Sequence, residues 1–343
     1  MARRGGTRPL LLAALVVLVA AMLPARAAAR DAFEQWASEH GKTYKSEAER
    51  DRRRAVFDEN SRVVDTINSE GLSWRAGLNQ FSDMTPDEFR TQVLMRPRKA
   101  PAGAAARPPP QKKTETVPAA FDWRASGAVS SVKDQGFVGT CWAFSTVGNV
   151  EGVWAIKNNK AAAESLSPEF LVDCDGTTDE PNNRADCSVF GGWPYLAYQY
   201  IASRGGIPSE ASYGYCAGTG SCYPCMEGPT SLCGPPPYSC DRSRTQACKA
   251  LGPADFAAKV ADWVQADASE EAVTSLLATT APLSVLLDAT GLQYYSSGIW
   301  TGYRSDPRLG CSQTGLNHAV LLVGFNVSSD GGAAQPFYSI KNR

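Results

Sequence analysis

One cysteine has the surroundings of an activated nucleophile. Cys141 follows the small residues Gly139 and Thr140 and stands where the pattern predicts a long helix to begin. Unpaired N–H groups and the positive dipole end at a helix start favour thiolate over thiol, and a thiolate attacks acyl carbons. For a cysteine taken alone in an exported chain, a structural thiol or half of a disulfide is the competing interpretation.

The histidine content favours the catalytic interpretation. The chain contains two histidines, and His40 lies upstream of a predicted linker, which leaves His318 as the candidate base. His318 begins an apolar run that predicts a strand edge able to present the ring towards a cleft. A histidine in such a place is more often a satisfied surface or core residue, so the inference depends on its pairing with Cys141.

The composition is typical of a globular protein with a net charge close to zero, and the first residues predict export. Among 343 residues, 34 Lys plus Arg balance 35 Asp plus Glu, so nothing draws the chain to nucleic acid or anionic lipid. Three arginines precede an apolar run over 10–23, and an A-x-A site follows at 25–27, which predicts a signal peptide over 1–27. An apolar run of this length is too short to span a bilayer, and no later stretch is long enough.

Helical patterning marks the region 28–95. Ser46 and Glu49 form an S-x-x-E capping box. A face of mixed polar and apolar character follows at steps of three and four, and it predicts packing on specific partners as well as on a core. Its members are Glu49, Arg53, Phe57, Asn60, Val64 and Asn68. A second helix is predicted to open at Thr85, with Pro86 in its first turn.

The region 96–117 is rich in Pro, Ala, Lys and Arg, a composition that predicts a linker open to proteases, with a passive spacer as the alternative. The region 118–343 has the sequence character of a globular domain. Its predicted helices come first and its predicted strands later, an order typical of an α+β fold. Helices are predicted from Cys141 and after Ser167-Pro168, and strands over 284–288, 318–325 and 336–341.

Several motifs in the correct order resemble the papain and cathepsin L family of cysteine peptidases. They are the run from Gln135 to Ser145, Asn317-His318-Ala319, Ile340-Lys341-Asn342, Phe121-Asp122-Trp123-Arg124, and two pro-segment motifs over 49–68 and 77–83. The resemblance implies an α+β papain-like fold of two domains, one helical and one antiparallel and β-barrel-like. An α-helical inhibitory pro-domain precedes them.

The resemblance implies roles for four residues. Cys141 would attack the scissile carbonyl, and His318 would carry the proton to the leaving amine. Asn342 would orient the imidazole. Gln135 would stabilise the oxyanion together with the Cys141 backbone N–H.

The resemblance also implies a substrate cleft lined by Gly139, Gly191, Gly192 and Asn317, with Ala289 and Leu316 bordering a pocket for an apolar side chain. Neither a metal nor another cofactor is implied. The expected partners are peptide substrates and the chain's own pro-segment, with no nucleic acid, no membrane span and a monomeric state.

Asn326 begins an N-x-S sequon predicted to lie in a polar loop and to be glycosylated. Export predicts a secretory route to an acidic, lysosome-like or vacuole-like compartment or to the exterior.

The cysteine pattern departs from that of the family. The family has a cysteine at the position of Val138, so Cys187 is expected to lack its usual partner, and the usual partner of Cys311 lies beyond the end of this chain. Ten cysteines minus the nucleophile leave nine, so at least one thiol is expected to stay outside intramolecular disulfides. The family also continues past its asparagine, whereas only Arg343 follows Asn342, so we expect an incomplete β domain.

A Cys-rich insertion over 216–248 holds six cysteines, which allow fifteen pairings. It also lengthens the separation of Cys141 and His318, which is 318 − 141 = 177 residues. A zinc site at Cys222-x-x-Cys225 competes with disulfides, which export favours.

Three functional hypotheses follow: a cysteine endopeptidase zymogen, an inactive paralogue that inhibits through its pro-segment, and a Cys-rich binding module. Dipeptide trimming of the cathepsin B kind is disfavoured, because its blocking loop uses histidines that this chain lacks.

Overall fold

The computed structural model describes residues 32–95, 117–236, 238–267, 269–303, 305–306, 309, 311–312, 315–328 and 335–342. The predicted signal peptide and nearly all of the predicted linker lie outside these residues. The chain divides into two compact units. The first contains the described residues up to Asp87 together with Leu292–Thr301, and the second contains Glu88–Gly291 and the described residues after Thr301.

The described helices are α1 (32–39), α2 (Glu47–Ser69), α3 (Pro86–Glu88), α4 (Cys141–Lys157), α5 (Pro168–Cys174), α6 (Pro194–Arg204), α7 (Thr230–Cys233), α8 (Arg242–Ala250) and α9 (Glu270–Thr279). A π-helical turn, Phe89–Val93, follows α3 directly. The described strands are β1 (Trp74–Ala76), β2 (Phe121–Asp122), β3 (Thr178–Asp179), β4 (Arg184–Ala185), β5 (Leu283–Leu287), β6 (Tyr295–Gly298), β7 (His318–Ser328) and β8 (Gln335–Lys341). None of the helices described is long and apolar enough to cross a membrane.

In the first unit, α2 begins at the predicted cap. Ser46 Oγ accepts the Glu49 N–H at 3.2 Å, while the Glu49 carboxylate accepts the N–H of Lys45, one residue before the position that a full capping box uses. The predicted mixed face is present, with Phe57 and Asn60 both buried. The Asn60 amide donates to two carbonyls, those of Ser82 at 2.8 Å and Met84 at 2.9 Å.

The loop before α3 is held by a buried ion pair. Lys42 Nζ lies 2.8 Å from Asp83 Oδ1, with both side chains largely buried, and Tyr44 donates to Asp83 Oδ2 at 3.0 Å. Arg53 on α2 donates to the Asp83 carbonyl at 2.9 Å. The 77–83 motif is therefore fixed by charge and hydrogen bonds as well as by apolar contact.

The first unit also contains a strand pair that joins distant parts of the chain. β1 pairs antiparallel with β6, placing Trp74 opposite Gly298 and Ala76 opposite Tyr295. Ser73 Oγ adds a hydrogen bond of 2.8 Å to the carbonyl of Ile299, which lies 226 residues later.

In the second unit, α4 is buried on almost every side, because it packs against α5, α6 and the sheet. Ser145 Oγ on α4 donates to the carbonyl of Val320 on β7 at 2.7 Å. The predicted helix starts at Cys141 and Pro168 are confirmed, and Ser167 caps the second of these helices through the N–H of Phe170.

β7 is the central strand of a four-stranded antiparallel sheet. β5 pairs with its first half and brings Leu287 opposite His318, β2 pairs with its second half, and β8 also pairs with β7. The three predicted strands are thus confirmed, and no end is shifted by more than three residues. The part of the chain that is described gives an open sheet, and the overall class is α+β as expected.

Four disulfides resolve the cysteine pairings that the sequence left open. They are Cys174–Cys248, Cys187–Cys233, Cys216–Cys222 and Cys225–Cys240. Cys187 lacks its usual partner at position 138, as expected, and pairs instead with Cys233 on α7. The zinc alternative is wrong, since Cys222 and Cys225 are both in disulfides. Cys141 and the exposed Cys311 take part in none, in agreement with the odd cysteine count.

Candidate active site

The first residue of α4 and the start of β7 meet at Cys141. Its side chain is fully buried, and the Ala319 backbone N–H donates to its Sγ at 3.4 Å. Because Ala319 follows His318 directly, the candidate nucleophile lies beside the backbone that carries the candidate base. At the start of α4, the first backbone N–H groups have no partners within the helix, and they are directed towards the end that carries the Cys141 sulfur.

The candidate base is hydrogen-bonded to the candidate orienting residue. His318 is 4% exposed, and its Nε2 lies 2.8 Å from Asn342 Oδ1. An amide oxygen only accepts hydrogen bonds, so this contact places the proton on Nε2 and leaves the lone pair on Nδ1. The pairing of β7 with β8 produces the contact, because Lys341, the last residue of β8, lies opposite Leu321.

Gln135 lies in the loop that leads to Cys141 and is 1% exposed. Its Nε2 donates to the carbonyl of Val138 at 2.7 Å and to the carbonyl of Val93 at 3.2 Å. The resemblance assigns this amide to the stabilisation of an oxyanion. In the structure, the amide contacts the carbonyl oxygen of Val93, which precedes the predicted linker.

The end of the region 28–95, the predicted pro-segment, lies against the predicted cleft within the second unit. The Met95 N–H donates to the Asn317 carbonyl at 2.8 Å, and Val93 accepts from Gln135. A Cβ placed on Gly139 would be 3.5 Å from the Leu94 carbonyl oxygen. Sequence reasoning missed these three pro-segment residues, whose available signal was an apolar triplet immediately before the linker.

Two of the predicted cleft residues, Gly191 and Gly192, are glycines for different structural reasons. Gly191 has φ of 114°, which residues with a side chain rarely adopt, and its carbonyl accepts the Cys187 N–H. A Cβ on Gly192 would lie 2.4 Å from the Trp142 ring. Close approach to Trp142 therefore requires a glycine at 192, whatever else the residue does.

The Asn317 side chain organises the turn before β7. Its Oδ1 accepts the Ala289 N–H at 2.8 Å, and its Nδ2 donates to Asp288 and Thr290, each at 3.0 Å. Ala289 is 1% exposed and Leu316 is half-buried. Ala289 thus contributes to the frame of this region, and Leu316 is the more accessible of the two predicted pocket residues.

Asn326 does not lie in a loop as predicted. It is exposed on β7, paired with Phe337 of β8, because the strand extends three residues beyond its predicted end.

The comparisons decide the family. The family model described as "Papain family cysteine protease" matches residues 117–343, and "Cathepsin propeptide inhibitor domain (I29)" matches residues 33–89. The chain belongs to the papain family of cysteine proteases. It has the organisation of a zymogen, because a propeptide domain precedes the peptidase domain.

Two relatives illustrate the similarity of this papain-family chain to known proteins. Cysteine proteinase 15A of Pisum sativum is 32% identical over 314 residues, which cover 90% of this chain and 77% of the relative. Procathepsin L of Mus musculus is 34% identical, with coverages of 90% and 81%.

Solved proforms have a similar fold. Digestive procathepsin L2 from Tenebrio molitor has a TM-score of 0.70 and 27% identity, covering 92% of this chain and 89% of its own. The recombinant stem bromelain precursor has a TM-score of 0.67 and 28% identity, with coverages of 92% and 87%.

Buried carboxyl groups lie near the cleft of this papain-family protease. Asp186 is fully buried and accepts the Trp193 N–H at 2.6 Å, next to Gly192. Asp175 is 1% exposed, and burial raises the pKa of Asp175 to about 6. Burial, together with the negative charge of Asp173, raises the pKa of Glu169 to about 7. These pKa shifts arise because low-polarity surroundings penalise the charged form.

One cluster among the described residues resembles a metal site in its spacing. The ligand atoms of Glu169, Cys216 and Cys222 lie within 4.8 Å of one another. Both sulfurs, however, are joined in a disulfide, so neither is a thiolate able to bind a metal. The chemistry of this donor set therefore does not fit a metal ion.

Proposed function

We propose that this chain is the zymogen of a cysteine endopeptidase with Cys141 as nucleophile and His318 as base. The observation that supports the assignment is the meeting of three groups. The Cys141 sulfur lies against the β7 backbone at Ala319, and the adjacent His318 ring is held by Asn342.

The proposed reaction follows from the hydrogen bonds. With Nε2–H donated to Asn342, His318 presents Nδ1 as the proton acceptor for the Cys141 thiol. The sulfur attacks the scissile carbonyl, and the imidazolium returns the proton to the leaving amine, which gives a thioester. A water molecule then attacks the thioester carbonyl while His318 accepts its proton. The carbon–sulfur bond breaks, the acid is released, and the proton returns to the Cys141 sulfur.

Oxyanion stabilisation is assigned to the Gln135 side-chain amide and the Cys141 backbone N–H. One such donor contributes roughly 3 kcal/mol to transition-state stabilisation. The hydrogen bond from Gln135 to the Val93 carbonyl supports this role, because it shows that the amide can donate to an oxygen brought to this place.

Autoinhibition is assigned to the residues before the linker. Val93 contacts Gln135, Met95 contacts Asn317, and both contacts would have to break before a substrate could bind. We propose that cleavage within 96–117 removes this obstruction, and that protonation of carboxylates in the pro-domain assists at acidic pH.

Peptide substrates are assigned to the cleft formed by Gly139, Gly191 and Gly192, with Leu316 and Ala289 bordering a pocket for an apolar side chain. Endopeptidase action remains the preferred mode. The signal sequence supports a secretory route to an acidic or extracellular compartment, and the exposure of Asn326 is compatible with its glycosylation.

The test compares the full chain with Cys141→Ala and Cys311→Ala variants after acid treatment. We expect hydrolysis of a fluorogenic peptide by the parent chain and by the Cys311→Ala variant, and none by the Cys141→Ala variant. A thiol-directed epoxide or fluoromethyl ketone probe should add one label at Cys141, located by peptide mass mapping. Labelling at Cys311 alone, with no hydrolysis, would reject the proposal.

A second candidate function is inhibition of related proteases by the pro-segment, which the contact between Val93 and Gln135 supports. The Cys141→Ala chain should then inhibit an active papain-family protease at micromolar concentration or below. If the parent chain is inactive and this variant inhibits, the inhibitor function replaces the enzymatic one.

A further inference from the structure

A tyrosine immediately before the Cys-rich insertion contacts both ends of the loop that precedes the nucleophile. The Tyr215 hydroxyl lies 2.8 Å from the Gln135 carbonyl oxygen and 2.7 Å from Thr140 Oγ1. Gln135 begins this loop and Thr140 ends it, so a single hydroxyl group bridges two residues that are neighbours in space but not in sequence.

The direction of these hydrogen bonds follows from the chemistry of the groups. A carbonyl oxygen only accepts, so Tyr215 donates its proton to Gln135, and the Thr140 hydroxyl donates to the phenolic oxygen. Thr140 is fully buried, so its hydroxyl needs a partner inside the protein. The chain Thr140 to Tyr215 to Gln135 therefore has one consistent arrangement.

The tyrosine ring is itself held firmly. It makes an edge-to-face contact with Phe144 of α4, with centroids 4.8 Å apart, and its backbone N–H donates to Glu210 at 3.0 Å. The residue after it, Cys216, is in a disulfide and donates its backbone N–H to Glu169 at 2.9 Å. Burial raises the pKa of Tyr215, so the hydroxyl stays protonated over the working range of pH.

The backbone on both sides is in close contact as well. A Cβ on Gly218 would lie 1.9 Å from the Gln135 carbonyl oxygen, and a Cβ on Gly136 would lie 2.0 Å from the Gly218 carbonyl oxygen. The segment from Tyr215 to Gly218 thus supports the loop over two consecutive residues, and Tyr215 provides its polar contacts.

We infer that Tyr215 is a positioning residue for the oxyanion-stabilising donors. This inference rests on the proposed function. Tyr215 fixes the backbone of Gln135, whose side chain is one donor, and it fixes Thr140, whose carbonyl accepts the Ala143 N–H at the start of the Cys141 helix. Loss of the hydroxyl would let the two donors move independently, at a site where a misplacement of about 1 Å can cost about a hundredfold in rate.

The experiment uses the full chain, activated at acidic pH, as parent and as Tyr215→Phe. The matched control is Tyr213→Phe, since Tyr213 also has a buried hydroxyl, bonded to Asp173 at 2.5 Å and away from the loop. Three quantities are measured: kcat and KM for a fluorogenic peptide, the affinity for a peptide aldehyde, and the rate of Cys141 alkylation by iodoacetamide, which needs no oxyanion donors.

For Tyr215→Phe we expect kcat to fall about tenfold, less than the hundredfold or more seen when a donor is removed outright. Aldehyde affinity should fall in parallel, while KM and the alkylation rate should stay within about twofold. Tyr213→Phe should lower the melting temperature at least as much as Tyr215→Phe does, but without the fall in kcat and in aldehyde affinity. A Thr140→Val change should add little to Tyr215→Phe, because both break the same hydrogen-bonded chain.

An unchanged kcat for Tyr215→Phe would overturn the inference, and so would an alkylation rate that falls together with kcat. The same kinetic pattern in Tyr213→Phe would also overturn it, because it would indicate a general loss of structure. An inactive and unlabelled parent chain would instead refute the proposed function, so the two failures are distinguishable.

Discussion

The buried carboxyl pair of Asp175 and Asp186 predicts that acid stabilises the peptidase unit. Asp175 is 1% exposed and Asp186 is fully buried. Each accepts a backbone N–H, from Thr177 at 2.9 Å and from Trp193 at 2.6 Å. Burial penalises the charged form of Asp175, so the protonated carboxyl is favoured in the folded protein.

The size of the effect follows from the pKa. Burial raises the pKa of Asp175 from 3.8 to about 6, a difference of roughly 2 units. At 1.36 kcal/mol per unit this corresponds to about 3 kcal/mol. Because the folded-state pKa is raised, the stabilisation is fully present below pH 3.8 and is lost as the pH rises through about 6. Glu169, with its pKa raised to about 7, acts in the same direction.

Asp175→Asn tests this reasoning, because the amide resembles the protonated acid. Its oxygen can still accept the N–H of Thr177. In a Cys141→Ala background, which prevents self-cleavage, we expect a gain of about 3 kcal/mol in the free energy of unfolding at pH 7.5 and almost none at pH 4. Urea unfolding at half-unit pH intervals measures both values.

Asp179→Asn is the control of opposite sign. Hydrogen bonds from Tyr195 and Asn182 lower the pKa of Asp179, so its contribution is present at neutral pH and is lost as the pH falls through the lowered pKa. A uniform loss of stability in Asp175→Asn at every pH, or a gain largest at pH 4, would refute the reasoning from the burial of Asp175.

Three further substitutions test the frame of the site and of the pro-segment. Gly192→Ala should cost about 1 to 3 kcal/mol through overlap with Trp142, while Gly252→Ala, which meets nothing within 4 Å, should change urea stability little. Asn317→Ala removes three hydrogen bonds before β7 and should cost about 2 to 4 kcal/mol in the same assay. Asn60→Ala, in the pro-segment, removes two buried hydrogen bonds to the loop before α3 and should hasten self-cleavage of the parent chain at pH 5, as followed by gel electrophoresis. Unchanged stability in Gly192→Ala or Asn317→Ala would contradict the structural role given to the contacts of that residue. Unchanged processing in Asn60→Ala would do the same for Asn60.

Elements with strong local signals could be predicted from the sequence. The helix starts at Cys141 and Pro168 carry local signals, and the strand from His318 has a long apolar run. The Asn342 contact with His318 was accessible through the family motif. For the helix starts and the strand the information lies within about ten consecutive residues, whereas the contact between Asn342 and His318 required the family resemblance.

Features that depend on distant contacts could not be predicted. β1 and β6 have three and four residues, too few for a periodic signal, and neither indicates its partner. The Cys187–Cys233 disulfide joins the cleft to the insertion and was one of many possible pairings. Tyr215 likewise gave no local sign of its hydrogen bonds to Gln135 and Thr140, because those bonds arise only when the chain has folded.

The pairing of β1 with β6 has a consequence for biosynthesis. The ribosome makes the pro-segment first, but the strand that completes this unit emerges only when residue 298 has been translated, after most of the peptidase region. Co-translational folding of the amino-terminal part is therefore necessarily incomplete, and nascent chains stalled before that point should expose β1 to proteases or chaperones.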